Sequence, residues 1–295
     1  MFHGVMTALV TPFRKGQIDE EAFRAHIERQ IEGGVDALVP AGTTGEAATL
    51  TYDEHKRVIR ICVEQAAGRV PVIAGTGSNN TAESIELTAA ARELGADAAL
   101  LISPYYVKPT QEGIYLHYKA VAEAVHLPLI LYNVPGRTAS NMEPETVGRL
   151  SHIGNIVGIK DATANMEQLT KTMLAAEERL EFYSGDDATV VPFMAAGGGG
   201  VISVVSNIVP QAMAELCEAM RLGRIAEARR MQQRMQRLNT LMFVQSNPIP
   251  VKAACAMLGW CADELRLPLT SLPAAECARL AAAMREFGLA PQTAG

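Results

Sequence analysis

Short apolar, β-branched runs recur along this chain, each followed by a longer stretch in which apolar positions return every three or four residues. Eight runs read as strands, at 4–10, 35–42, 70–75, 97–103, 127–133, 156–161, 181–185 and 200–206. Their apolar character is continuous rather than alternating, which marks strands buried on both faces of a parallel sheet. Between them, residues 19–32 place Phe23, Ile27 and Ile31 on one helical face, and residues 52–67 do the same with Val58, Ile59, Cys62 and Val63. Residues 81–94 open on Thr81 and acidic side chains, a capped helix start. Beyond Val209 the strand pattern stops, and the periodicity predicts helices at 210–221, 225–243, 250–258 and 273–287.

Eight strand–helix units predict an α/β fold of the (β/α)8 TIM-barrel type over residues 1–223, with an appended C-terminal helical region over 224–295. An open doubly wound sheet is the structural alternative. The net charge of −6 argues against a general nucleic-acid binder, which would carry a basic stripe. No apolar run reaches the roughly 18 residues of a membrane helix. The opening MFHGVMTALVTPF lacks the features of a signal peptide. The five cysteines are scattered without a CxxC pair, which fits reduced thiols in a cytoplasm rather than disulfides or a zinc site.

A barrel concentrates its chemistry at the C-terminal ends of the strands and in the loops that follow. Those positions hold Thr43 and Thr44, Tyr105 and Tyr106, Tyr132 and Asn133 with Arg137 beyond, and Lys160 with Asp161. Lys160, in IVGIKD, ends a buried strand; Lys252, in NPIPVKAAC, is the other lysine in apolar company. Desolvation favours a neutral amine. An ordinary lysine is about 0.04% neutral at pH 7, and one tuned to a pKa of roughly 7–8 is about 10–50% neutral, enough for Schiff-base chemistry on a carbonyl. A structural lysine paired with a carboxylate is the competing reading. Tyr132 would serve as a proton shuttle beside such a lysine if Thr43 and Tyr106 supplied hydrogen bonds, and as a buried tyrosine otherwise. The GTTGE turn (42–46) offers amides and hydroxyls to a carboxylate, or is a glycine-permitted loop. Arg137 is a second carboxylate anchor or a surface ion pair. There is no P-loop, no GxGxxG and no HExxH, and the six histidines are too dispersed for a metal cluster. GGGG (197–200) precedes strand eight, at the wrong end for a phosphate loop, and reads as a turn permitting close packing.

GTTGE, SPYYVKPTQEG, LYNVPGRT, IVGIKDAT and SNPIPVK occur in an order and spacing that resemble the dihydrodipicolinate synthase (4-hydroxy-tetrahydrodipicolinate synthase) family of pyruvate-dependent Schiff-base enzymes, from GVMTALVTPF to RLPLTSL. The resemblance implies a lyase of the diaminopimelate route to lysine. It would condense pyruvate with L-aspartate 4-semialdehyde without metal or organic cofactor, as a homotetramer built as a dimer of dimers. It implies that Lys160 forms the Schiff base, that Tyr132 donates and accepts protons, and that Thr43 and Tyr106 relay them, Tyr106 in the neighbouring subunit's site. It implies that Thr44 and Ile202 contact pyruvate, that Arg137 receives the semialdehyde's carboxylate, and that Gly185 lines the pocket. Ala48, His55, Asn79, Glu83 and Tyr105 match an allosteric site for L-lysine, although Ala47 and Tyr52 stand where inhibited bacterial members often carry Ser and His. The competing readings are an N-acetylneuraminate lyase or 2-keto-3-deoxy sugar-acid aldolase of the same superfamily, and a non-catalytic metabolite-binding barrel.

Overall fold

The computed structural model describes residues 2–291. Eight strands lie parallel: β1 (Gly4–Ala8), β2 (Ala37–Val39), β3 (Ile73–Gly75), β4 (Ala98–Ile102), β5 (Leu129–Asn133), β6 (Ile156–Asp161), β7 (Glu181–Ser184) and β8 (Gly200–Ser203). They pair in the order β2-β1-β8-β7-β6-β5-β4-β3, and a parallel bridge between Leu38 and Val72 joins the two ends. The sheet is therefore a barrel and not an open sheet. All eight runs legible in the sequence are strands, most of them shorter than their apolar stretch. The second stops at Val39 because Pro40 brings no N–H to the ladder. The eighth stops at Ser203, where the chain tightens into a 3-10 turn (Val205–Asn207).

Side-chain parity explains what lies inside. Met6, Val39, Ile73, Leu100, Ile130 and Ile202 fill the barrel interior, while Val5, Leu38, Leu101, Leu129, Leu131 and Val201 point outward under the helices. Tyr132 follows the inward parity of Ile130, and Lys160 faces it in register across the β5–β6 ladder. Two interior glycines serve close approach. Gly200, at φ 158°, has the Gly4 carbonyl where a Cβ would sit, so the GGGG segment is a packing turn at the N-terminal end of β8. Gly75 lets β3 run directly against Ala41 and Gly42 of the GTTGE turn.

The barrel helices are α1 (Glu20–Glu32), α2 (Tyr52–Ala66), α3 (Thr81–Glu93), α4 (Gln111–Ala124), α5 (Pro144–Leu150), α6 (Met166–Ala176), α7 (Val190–Ala195) and α8 (Pro210–Arg221). α2 opens on a full capping box between Thr51 and Glu54. The cap of α3 is Asn80, whose side chain accepts from the Ala82 N–H; Thr81 is already helical and bonds His117 Nδ1 instead. The appended helices α9 (Ile225–Leu241), α10 (Ile249–Met257) and α11 (Ala274–Phe287) share the barrel's apolar core through Met235, Leu238, Val251, Leu280 and Met284. A two-rung hairpin, Phe13–Arg14 with Gln17–Ile18, was not legible in the apolar pattern because each arm holds two residues. Among the described residues no helix is long and apolar enough to cross a membrane.

A polar knot fastens α1 to the barrel. Asn207 donates from Nδ2 to the carbonyls of Ala8 and Val204, so its Oδ1 is the acceptor for Val10 N–H and for His26 Nε2–H. Burial holds His26 neutral, with its pKa lowered to about 4; burial does the same to His117. Unfolded histidines take up protons below about pH 6.5, so the unfolded state binds more protons between pH 6.5 and 4 and folding stability falls across that window. His26 alone is expected to cost about 3 kcal/mol by pH 4. Denaturant midpoints measured from pH 7 to 4.5 should fall, and His26→Gln should flatten the slope; a flat profile for the parent protein would contradict a neutral His26.

Candidate active site

The C-terminal mouth of the barrel gathers the polar groups. Lys160 closes β6, paired in register with Tyr132 on one side and Tyr183 on the other. Its Nζ lies 4.3 Å from the centre of the Tyr132 ring, and the residue is only 5% exposed. Burial lowers the Lys160 pKa to about 8; the Asp187 carboxylate opposes that shift and the Arg137 charge adds to it. At pH 7 about 10% of such an amine is neutral, against about 0.04% for an ordinary lysine. Burial raises the Tyr132 hydroxyl, while the Arg137 charge and a hydrogen bond with the Thr43 hydroxyl pull it back. Thr43 and Tyr132 are thus brought together.

The GTTGE turn is stitched from several sides. Gly45 N–H and Ala47 N–H donate to the Gly42 carbonyl, Glu46 N–H donates to that of Thr43, and the Thr11 hydroxyl donates to that of Gly45. Glu46 adopts the left-handed region at φ 58°, uncommon for a side chain of its kind. It is held there by Lys252, which is fully buried and paired with its carboxylate, and by the Arg266 N–H, which donates to Oε2. Burial lowers the Lys252 pKa and the Glu46 carboxylate opposes the shift. Phe13 lies under both cations, 4.1 Å from Lys252 Nζ and 4.4 Å from the Arg266 guanidinium carbon. Carboxylate pairing, the structural fate considered for a buried lysine, is therefore that of Lys252. Lys160 has no such direct partner among the described residues.

Arg137 sits on a single helical turn (Pro135–Thr138) after β5, exposed at the mouth. That turn is anchored by Asn133, which donates to Asn141 Oδ1 and accepts from Met142 N–H. Ile202 is buried in β8. Gly185 follows β7, its N–H donating to the Asp161 carbonyl, and a Cβ there would strike Ala162. Tyr106 stands apart from the others. It is 87% exposed, at φ 71°, on a loop that projects from the barrel beside exposed Tyr105 and Val107. Ala48, His55, Asn79, Glu83 and Tyr105 lie on or behind the same face. Ala48 is exposed; His55 is buried with Nε2–H donating to the Gly75 carbonyl; Asn79 donates to the Tyr105 carbonyl; Glu83 accepts from the Ser78 hydroxyl and meets the Tyr52 hydroxyl.

Two polar side chains at the mouth were not singled out from the sequence. Asp187, in the loop after β7, is buried; its Oδ2 accepts from Val204 and Val205 N–H, and burial raises its pKa. Its backbone carbonyl accepts from Gln232 and Asn239 of α9. The available signal was an acidic pair directly after a strand, SGDD. Asn247 lies in SNPIPVK, two residues before α10, and reaches Thr44, 203 residues away in the chain. Only the fold reveals that proximity.

The Glu46–Lys252 pair predicts a charge-balance effect. Glu46→Gln or Lys252→Met alone leaves a buried charge unpaired and should cost about 3–5 kcal/mol, while the double substitution should recover most of it. Equal or additive losses in chemical denaturation would contradict a coupled pair.

The model of the dihydrodipicolinate synthetase family matches residues 1–286. A 4-hydroxy-tetrahydrodipicolinate synthase from Geobacter sp. (strain M21) is 54% identical over 98% of this chain and 100% of its own length. The chloride-inhibited dihydrodipicolinate synthase from Acinetobacter baumannii, solved in complex with pyruvate, superposes with a TM-score of 0.97 at 46% identity, covering 98% of this chain and 100% of that one. The enzyme from Cyanidioschyzon merolae, solved with lysine bound, gives a TM-score of 0.95 at 42% identity, covering 98% of this chain and 99% of that one. With a matched fold, near-complete coverage and a desolvated lysine at the barrel mouth, the chain belongs to the dihydrodipicolinate synthetase family.

Proposed function

We infer that this chain is a lyase-type enzyme of lysine and diaminopimelate biosynthesis, a 4-hydroxy-tetrahydrodipicolinate synthase, and that it condenses pyruvate with L-aspartate 4-semialdehyde at Lys160. The observation that carries the residue assignment is the amine itself: buried, lowered to a pKa of about 8, and seated against Tyr132. Neutral Lys160 attacks the pyruvate ketone, and water leaves. The resulting iminium is an electron sink, so a methyl proton departs and an enamine forms. The enamine carbon attacks the aldehyde of the semialdehyde. The substrate's amine then adds to the iminium carbon, releases Lys160 and closes the ring. Tyr132 carries the protons with Thr43, and Tyr106 of a neighbouring subunit completes the relay. The GTTGE turn, with Thr44, and the backbone at Ile202 hold the pyruvate, Gly185 keeps the pocket wall low, and Arg137 receives the semialdehyde's carboxylate.

The exposed Tyr106 loop supports an assembly in which it enters another copy's site, and a homotetramer built as a dimer of dimers accommodates this. The barrel, assigned to residues 1–223, carries the reacting groups and the helical region assigned to 224–295 braces them, in a cytoplasmic protein; residue 1 and residues 292–295 of these bounds lie outside the described residues. The relatives are synthases, which favours the semialdehyde over a sugar acid as second substrate.

Incubation with pyruvate and borohydride should add one reduced pyruvate to Lys160, located by peptide mass, and Lys160→Arg should abolish the adduct. The rate of trapping should rise about tenfold per pH unit below 8 and level off above, because the neutral amine is the nucleophile. An adduct on Lys252, or none, would remove the assignment.

We further propose that L-lysine binds where Ala48, His55, Asn79, Glu83 and Tyr105 converge, Glu83 facing its ammonium. The Cyanidioschyzon enzyme with lysine bound supports this reading. Titration with L-lysine should lower turnover, and Glu83→Gln should weaken the effect; unchanged turnover at millimolar ligand would sink it.

A further inference from the structure

α10 and the residues just before it reach the GTTGE turn at two points. One is the Lys252–Glu46 pair. The other is Asn247, two residues before the helix, whose Nδ2 donates to Thr44 Oγ1 at 3.0 Å. Both residues are buried, Asn247 at 6% and Thr44 at 3% exposure. Among the described residues this is the one side-chain hydrogen bond that Asn247 makes, and its buried Oδ1 has no partner. A buried amide satisfied at one end is a liability to folding, and an apolar side chain of similar volume would avoid it. The residue is explained instead by what it does to Thr44.

A hydroxyl has one hydrogen and two acceptor lone pairs. The amide N–H of Asn247 occupies a lone pair, and no acceptor among the described residues takes the Thr44 hydrogen. A carboxylate can only accept. An untethered hydroxyl spends part of its time presenting a lone pair to an anion, which repels it; a tethered one has its hydrogen free to donate.

We propose that Asn247 is a positioning residue for the keto acid: by donating to Thr44 Oγ1 it commits the Thr44 hydroxyl hydrogen to the carboxylate of bound pyruvate. This rests on the proposed function, with pyruvate bound at Lys160 and its carboxylate at the GTTGE turn. The contact is made equally in the ground state and the transition state, so its loss acts on KM and not on kcat.

The test compares Asn247→Ala, Asn247→Leu and Asn247→Asp in steady-state assays with pyruvate varied. Ala and Leu leave the hydroxyl free to rotate and should raise the pyruvate KM about tenfold, with kcat within about threefold of the parent. Asp accepts the Thr44 hydrogen and adds a negative charge, so its KM should rise about a hundredfold or more. Leu preserves the packing volume, which separates a lost hydrogen bond from a cavity. In a Thr44→Val background, Asn247→Ala should add nothing further to KM, because the hydroxyl it acts through is gone. A pyruvate KM unchanged in Ala and Leu, a rise no larger in Asp than in Ala, or additive effects with Thr44→Val would each overturn the proposal. Borohydride trapping on the parent protein tests the underlying reading separately. No pyruvate adduct on the parent removes that reading; a parent adduct with unaltered variants removes only the role of Asn247.

Discussion

A lysine amine is a nucleophile near neutral pH only where its ammonium form is disfavoured, and burial at this barrel's mouth meets that constraint. Lys160 lies at the end of a strand whose inward parity delivers it into the barrel, its partners in register are Tyr132 and Tyr183, and the Tyr132 ring lies against its amine. Burial sets the direction of its pKa. A carboxylate in direct contact would reverse that effect by stabilising the ammonium. Asp187, the acid whose charge opposes that shift, has its Oδ2 engaged by two backbone amides of the next loop. The charge is thus spent largely on fixing the backbone beyond β8.

Lys252 shows the opposite solution within the same molecule. It is as deeply buried, yet Glu46 lies against it and Phe13 beneath it. One lysine is left without a contacting counter-charge and has its pKa lowered to about 8; the other receives one and becomes a rivet. The rivet holds Glu46 in a left-handed conformation, which shapes the turn bearing Thr43 and Thr44. Stability and chemistry therefore meet in one loop, anchored from the far end of the chain.

The eight strands were legible because a parallel barrel buries both faces of each strand, leaving uninterrupted apolar runs that few other arrangements produce. The C-terminal helices were legible from periodicity alone, to within two residues at most boundaries. Lys160 stood out because a charge at the end of such a run needs a reason, and Tyr132 and Thr43 because of where strands end. What stayed hidden depends on contacts distant in sequence. Nothing local reveals that Lys252 is paired, since Glu46 is 206 residues from its partner. Asn247 was hidden for the same reason, whereas Asp187 had only the acidic pair after its strand to mark it. Tyr106 was singled out by its place after the fourth strand, but its exposure on a projecting loop has no counterpart in the pattern of apolar residues.

The tethers from Asn247, Lys252 and Arg266 to the GTTGE turn also set an order of assembly. The turn is synthesised early, but the groups that grip it belong to the last sixth of the chain. A ribosome-bound nascent chain can pair its strands as they emerge, yet the turn's Glu46 keeps an uncompensated charge until α10 and Arg266 have cleared the exit tunnel. Contacts of such sequence separation close late and slowly. A product truncated before Asn247 would carry the barrel sequence without any of the three groups that grip the turn.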